Sequence, residues 1–378
     1  MKHIPFNRVD LQGNELEYIN QSIEKGHISG DGEFTRRCSS LLERVLGVKK
    51  VLLTTSCTHA LEMAAILLNI CPGDEIIVPS FSFVTNINAF VLRGARPVFI
   101  DIRPDTLNID ENQIEGLISE KTKALVVVHY AGVGCEMDVI MNIANKYGIP
   151  VIEDNAHGMF GKYKGKYLST FGSMATQSFH ETKNFSCGEG GALLINDSNY
   201  IERAEIIREK GTNRSQFYRQ QIDRYTWVDV GSSYLPSEIL VAFLYAQLEQ
   251  RERIQDKRAV VWHQYYNNLK DWAGRNRVGL PIIPDYCEQA YHAFYLIMPS
   301  LDSRTAIIKY LKNNGIVAAF HYLPLHLSKM GIRFGGKMGD CPVTEDFSDR
   351  LVRLPFYNGL SVGDQEFVVS TMQNWRVS

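Results

Sequence analysis

The sequence has no long apolar run, no surplus of either charge, no cysteine pair at metal-ligand spacing and no dinucleotide glycine fingerprint, and each absence closes a class of function. No stretch of its 378 residues approaches the ~20 consecutive apolar residues that span a bilayer. The opening MKHIPFNRVDLQGNE lacks the apolar core of a secretion signal, so the expected location is cytoplasmic. Lys and Arg total 40 against 42 Asp and Glu, a formal charge of −2 with the bases scattered among acids. That balance gives no long-range pull on nucleic acid or an anionic membrane. Seven cysteines, an odd number without a CxxC pair, suit neither a disulfide framework nor a zinc ribbon. No GxGxxG follows the first apolar run, which argues against a dinucleotide-dependent oxidoreductase. Internal repeats and low-complexity segments are also absent.

What is there is an ordinary globular composition, 45% hydrophobic and 22% charged, in a chain long enough for two packed units with a cleft between them. From about residue 50, short apolar runs alternate with longer amphipathic ones: KVLLTT before HALEMAAILLN, DEIIVPS before TNINAFVLRG, KALVVVHY before VIMNIANKYG, and then IPVIEDN. Runs that are apolar throughout suit strands covered on both faces, so the expected fold is α/β with a mostly parallel central sheet. After about residue 155, SMATQSF and GGALLIND follow each other with too little sequence between them for a crossover helix. At least one of these strands should break the simple alternation. A helical run from Ser237 to about Leu269 then leads into a smaller strand and helix mixture. The expected division is a large unit at 1–250 and a smaller C-terminal α/β unit at 251–378.

Two segments carry the strongest chemical pattern. IPVIEDNAH at 149–157 places Glu153 and Asp154 at the end of an apolar strand, where α/β folds build their sites. SFHETKN at 178–184 ends a strand in a polar turn holding Lys183, with Ser178 before it and CGEGG after it. Lys183 could be a plain surface charge, and Asp154 could be a helix cap. A lysine able to form a Schiff base and an acid able to pair with a pyridinium nitrogen are also what a pyridoxal enzyme must supply. TTSCTHALEMAA at 54–65 leads a strand into a helix whose first amides, at Cys57, Thr58 and His59, suit either a simple cap or a phosphate seat. In VPSFSFVTN at 78–86, Phe81 and Phe83 share a side if the segment is extended, as core residues or as a stacking face for a ring.

In this order the segments resemble the DegT/DnrJ/StrS family of sugar aminotransferases, fold type I pyridoxal phosphate enzymes. The resemblance runs from GDGEFTRRC at 30–38 to FHYLPLH at 320–326 and includes LRGARPVF, PDTLNIDE, VHYAGVGCEMD, SFHETKN, GEGGA and ERAEIIREKGTNRSQF. It implies that Lys183 carries pyridoxal 5′-phosphate and that Asp154 pairs with the ring nitrogen. It places His157 against one ring face, Phe83 against the other, and the phosphate on the amides of Cys57 and Thr58 and the hydroxyl of Ser178. It further implies L-glutamate as amino donor, dTDP-4-keto-6-deoxyglucose as acceptor with the galacto product favoured, and a homodimer with its sites at the interface; the gluco product, a 3-keto sugar nucleotide as acceptor and a non-enzymatic cofactor-binding regulatory role are the alternatives. Arg214, His321, Tyr322 and His326 are the positions it suggests for the nucleotide sugar, and it calls for no metal.

Two positions depart from the family pattern. Cys57-Thr58 stands where many members have Gly-Thr, a small change if backbone amides are the donors. Ser233 and Leu235 stand where many have Asn-x-Arg, the Asn reaching the neighbouring subunit's phosphate; Asn213 or Arg214 is the candidate substitute. The related sugar 3-dehydratases replace the Schiff-base lysine with histidine, so the presence of Lys183 favours transamination.

Overall fold

The computed structural model describes residues 2–376. One central sheet holds seven strands: β1 (Lys50–Thr54), β2 (Glu75–Pro79), β3 (Arg96–Ile100), β4 (Thr122–Val128), β5 (Val151–Asp154), β6 (Met174–Ser178) and β7 (Gly191–Ile195). Their spatial order is β1-β7-β6-β5-β4-β2-β3. The continuous apolar runs follow from cover on both faces. In β4, Ala124 and Val126 pack with the helix Cys57–Leu67, while Leu125 and Val127 pack on the opposite face with the helix Met137–Tyr147.

The pairs β2 with β3, β2 with β4, β4 with β5 and β5 with β6 are parallel. Strand β7 runs antiparallel to both β6 and β1. It is the expected break in the alternation, and residues 179–190 that lead into it hold no helix. Two reversals cancel, so β1 points the same way as β6. The carboxyl ends of β1 to β6 therefore open on one edge, and β7 begins there.

The helix Glu238–Glu249 ends one residue before the helix Arg251–Asn276. Along the latter, Ile254, Val261, Trp262, Tyr265, Leu269 and Trp272 recur mostly at three- and four-residue steps on the buried side. From Val261 onward that side packs with Phe294, Leu296, Ile307, Val352 and Val368 in a core of its own. Ile4 from the start of the chain joins this core and pairs with Ile316. The buried guanidinium of Arg258, on the same helix, donates to the carbonyls of Tyr291 and His292 and to Asn358 Oδ1, each at 2.7 Å. Three of its five donors are thus met without an acid, and the contact pins the backbone at 291–292. A short ribbon pairs Tyr295–Ile297 antiparallel with Leu351–Arg353. Among the described residues no helix is long and apolar enough to cross a membrane.

Candidate active site

Strand β5 ends on two acids, and adjacent strand residues face opposite ways. Glu153 turns into packing: its carboxylate accepts the amides of Ser169 at 2.7 Å and of Phe171 and Gly172 at 2.8 Å, and meets His129 Nε2 at 3.0 Å. Asp154 turns the other way, onto the wall of a cavity of about 530 Å³. Its Oδ1 accepts the Ala156 amide at 2.9 Å, and Oδ2 has no partner among the described residues. Burial pushes this carboxyl up, while the Ala156 amide, the Lys183 charge and the nearby Asn86 pull it back.

Lys183 stands on the same cavity wall. The turn after β6 fixes its backbone, with its amide donating to the His180 carbonyl at 2.9 Å. Its amine has no hydrogen bond or ion pair among the described residues. Burial pushes that amine down to about 8, and Asp154 offsets this only in part. Roughly a tenth of it is therefore free base at pH 7, far more than for an exposed lysine.

The helix that follows β1 supplies the amides. Ser56 caps it, its hydroxyl accepting the His59 amide at 3.1 Å, which takes His59 out of the expected seat. The amides of Cys57 and Thr58 find no acceptor among the described residues and lie at the positive end of the helix. Gly191, the first residue of β7, passes directly beneath. A Cβ there would come within 2.3 Å of Cys57 N, so the strand can approach the turn only as glycine. Burial holds the Cys57 thiol well above its ordinary value, hence neutral. Ser178, at the end of β6, accepts the His180 amide at 3.4 Å and keeps its hydroxyl proton free to donate.

Phe81 and Phe83 diverge. Phe81 is buried, edge-on to Tyr130 and Tyr322, whereas Phe83 is 54% exposed and lines the cavity. His157 stacks on His292, the ring centroids 4.0 Å apart and 11° from parallel. His321 lies against Tyr322 and meets the Tyr130 hydroxyl at 3.0 Å. Burial pushes His157, His292 and His321 well below the ordinary imidazole value, so all three are neutral at pH 7.

Two of the residues suggested by sequence lie elsewhere. His326 is fully buried, with Nδ1 2.6 Å from Ser80 Oγ and Nε2 2.9 Å from Glu345. It ties the 320–327 segment to the end of β2 and takes no part in the cavity wall. Arg214 is held by Glu209 and Tyr218 beside a second cavity of about 980 Å³, which Ser233 and Leu235 also line. Conversely, His292 and Arg353 line the first cavity and escaped the sequence reading. The trace each left was a single basic residue inside an apolar stretch, YHAFYLIM and LVRLPF.

These groups fit pyridoxal 5′-phosphate. The unpaired amides and Ser178 suit its phosphate, the free Asp154 oxygen its ring nitrogen, and the Lys183 amine, which loses its proton more readily than an exposed lysine's, its aldehyde. His157 Nδ1, on the cavity wall, and the side-chain amide of Asn86 nearby are buried without a hydrogen-bond partner, positions that a ligand or an ordered water would satisfy. The fold and this cavity define the class, a pyridoxal phosphate-dependent aminotransferase. The chain belongs to the DegT/DnrJ/EryC1/StrS aminotransferase family, whose sequence profile matches residues 9–373.

An uncharacterised protein of Methanocaldococcus jannaschii, MJ1066, is 33% identical over 372 residues, 94% of each chain. The aminotransferase TlmJ from Streptoalloteichus hindustanus superposes with a TM-score of 0.90 at 27% identity, covering 98% of both chains. The PMP form of Spr1654 from Streptococcus pneumoniae, a candidate sugar aminotransferase, superposes at 0.92 with 25% identity and the same coverage. Family and neighbours together make this protein an aminotransferase that uses pyridoxal phosphate.

Proposed function

We propose that the protein moves the amino group of L-glutamate to C4 of dTDP-4-keto-6-deoxy-D-glucose, giving dTDP-4-amino-4,6-dideoxygalactose for a surface polysaccharide. The observation that carries the reaction class is the placement of Lys183 and Asp154 on one cavity wall, the amine unpaired and the acid half-paired. The choice of sugar rests on resemblance alone: runs such as GDGEFTRRC, PDTLNIDE and VHYAGVGCEMD look similar to those of the transaminase that makes this amino sugar in the enterobacterial common antigen pathway. The reading includes a cytoplasmic homodimer with its sites at the interface, a large cofactor-binding domain at 1–250 and a small domain at 251–378.

When bound, pyridoxal phosphate withdraws electrons from the carbon bearing the amine and so lets an amino group pass between two carbonyl compounds. The chain's own residues do the rest. Lys183, with its amine near 8, takes the proton from the donor's Cα and returns it to the ring side, and in the second half works in the reverse sense. Asp154 keeps a proton on the ring nitrogen. Cys57, Thr58 and Ser178 would hold the phosphate, and His157 and Phe83 would contact the ring. The two half-reactions share one site, so ping-pong kinetics follow.

The test is incubation of purified protein with L-glutamate and dTDP-4-keto-6-deoxyglucose, with the product read by NMR. An axial amine at C4 supports the proposal. An equatorial C4 amine, an amine at C3 or no transfer at all would each reject the substrate assignment.

A further inference from the structure

His292 shares the cavity wall with His157, and the two rings stack with 4.0 Å between centroids and 11° between planes. Little else orients His157. Its Nδ1 is buried without a partner, and its Nε2 has only the Tyr322 hydroxyl, at 3.5 Å, the outer limit of a hydrogen bond. The rings of Tyr130 and His321 are farther off, both at 5.9 Å. The plane of His157 is therefore set mainly by the face of His292.

The rim of His292 is tied to the residue that follows Lys183. Asn184 Nδ2 donates to the Ala290 carbonyl at 2.6 Å, and a carbonyl can only accept. That contact decides the amide's orientation and leaves Oδ1 facing His292 Nδ1, 2.9 Å away. His292 must donate there, so this ring, which burial keeps neutral, carries its one proton on Nδ1. The contact also closes a circuit. Arg258 donates to the His292 carbonyl and to Asn358 Oδ1, and Asn358 Nδ2 donates to the Asn184 carbonyl at 3.3 Å.

Such a circuit joins distant parts of the chain, but two features give the His292 side chain a role in the site. Arg258 already pins the backbone at 291–292, so the course of that segment does not depend on the imidazole. The imidazole's own two contacts fall on the two groups that the chemistry needs in register: the ring of His157, and the backbone that carries Lys183.

We propose that His292 is a positioning residue, its ring face setting the plane of His157 against the cofactor and its Nδ1 proton holding, through Asn184, the place of the Lys183 amine. The proposal rests on the reading of Lys183 as the residue that bonds the cofactor. A single side chain then links the group that braces the ring to the group that moves the proton, and a shift of one is felt by the other.

The test separates the two contacts. His292→Phe keeps the ring face and loses the donor. His292→Asn places an amide nitrogen where Nδ1 stands and loses the ring face, and Asn184→Leu removes the hydrogen bond from the opposite side. Two properties are read on folded, full-length protein. One is the first-order rate at which pyridoxal phosphate is captured at saturating cofactor and about pH 9.5, above the amine's value of about 8. The other is the visible circular dichroism of the holoenzyme, which reports how asymmetrically the ring is held. His292→Phe and Asn184→Leu should slow capture by roughly tenfold or more, the scale for misplacing a reacting group, and retain the dichroism. His292→Asn should retain the capture rate and lose most of the dichroism. An unchanged rate in His292→Phe or unchanged dichroism in His292→Asn would overturn the proposal, as would loss of both properties together in every variant, the pattern of plain structural support. Asn184→Leu stands in for a histidine variant that does not fold: an unchanged capture rate there overturns the proposal by itself. Failure of wild type to capture the cofactor would sink the underlying reading instead, and is seen before any variant is compared.

Discussion

His157 and His292 stack face to face, 4.0 Å apart, and the fold keeps both uncharged. Burial is the main cause, and for His292 the adjoining His157 adds to it. The unfolded chain protonates these rings near 6.5 while the folded chain does not. Stability is therefore fully present above about 6.5 and falls as the pH drops below it. His292→Phe keeps an aromatic face for the stack but leaves Asn184 Oδ1, now 2.9 Å from His292 Nδ1, without a donor. Its cost should be about 1 kcal/mol at pH 8 and should shrink or reverse at pH 5. Urea midpoints at the two pH values measure this; a cost independent of pH would mean that His292 titrates alike in both states.

Asp154→Asn keeps the shape of the strand end and removes the charge. Without it the ring nitrogen is no longer held protonated, and turnover should fall by ~10²–10³-fold, the scale for removing one preorganised electrostatic contact. Cofactor uptake, which the phosphate seat dominates, should persist. Full activity in the variant would remove Asp154 from the mechanism.

Gly191→Ala tests the phosphate seat from below. The added methyl must displace Cys57 N, 2.3 Å away, and overpacking of this kind costs about 1–3 kcal/mol. If the displaced amide is a phosphate donor, the dissociation constant for pyridoxal phosphate should rise about tenfold or more. An unchanged constant, with the fold intact, would place the phosphate elsewhere.

The apo-protein's capture of pyridoxal phosphate should depend on pH through the Lys183 amine. Only the free base attacks an aldehyde, so the rate should climb with pH and level off above about 8. Stopped-flow absorbance between pH 6 and 10.5 follows it. A climb that continues toward 10.5, as for an exposed lysine, would show that the cavity does not lower this amine.

The sheet was largely legible because its strands are covered on both faces, and β4 reads as an unbroken apolar run for that reason. The break at β7 was legible too, since residues 179–190 are too few for a crossover helix. Side-chain direction was not. Glu153 and Asp154 are neighbours of equal chemistry, and only the sheet's orientation sends one into packing and the other into the cavity. Phe81 and Phe83 divide in the same way. His321 and His326 lie in one short segment, yet only His321 reaches the cavity, because Ser80 and Glu345 claim His326. Arg353 and His292 were invisible for a different reason. Each sits in an apolar stretch of the C-terminal part of the chain, and only the fold brings it to the cavity beside a turn more than a hundred residues earlier, where His292 Nδ1 meets Asn184 Oδ1 and Arg353 shares the wall with Lys183.

The central claim is that Lys183 is the residue that bonds the cofactor. Treating the holoenzyme with borohydride fixes any such bond irreversibly, and mass mapping of the digested peptides then locates it. A pyridoxyl phosphate adduct on the peptide containing Lys183, with loss of the visible absorbance, is the predicted result. An adduct on another lysine, or none, would contradict it.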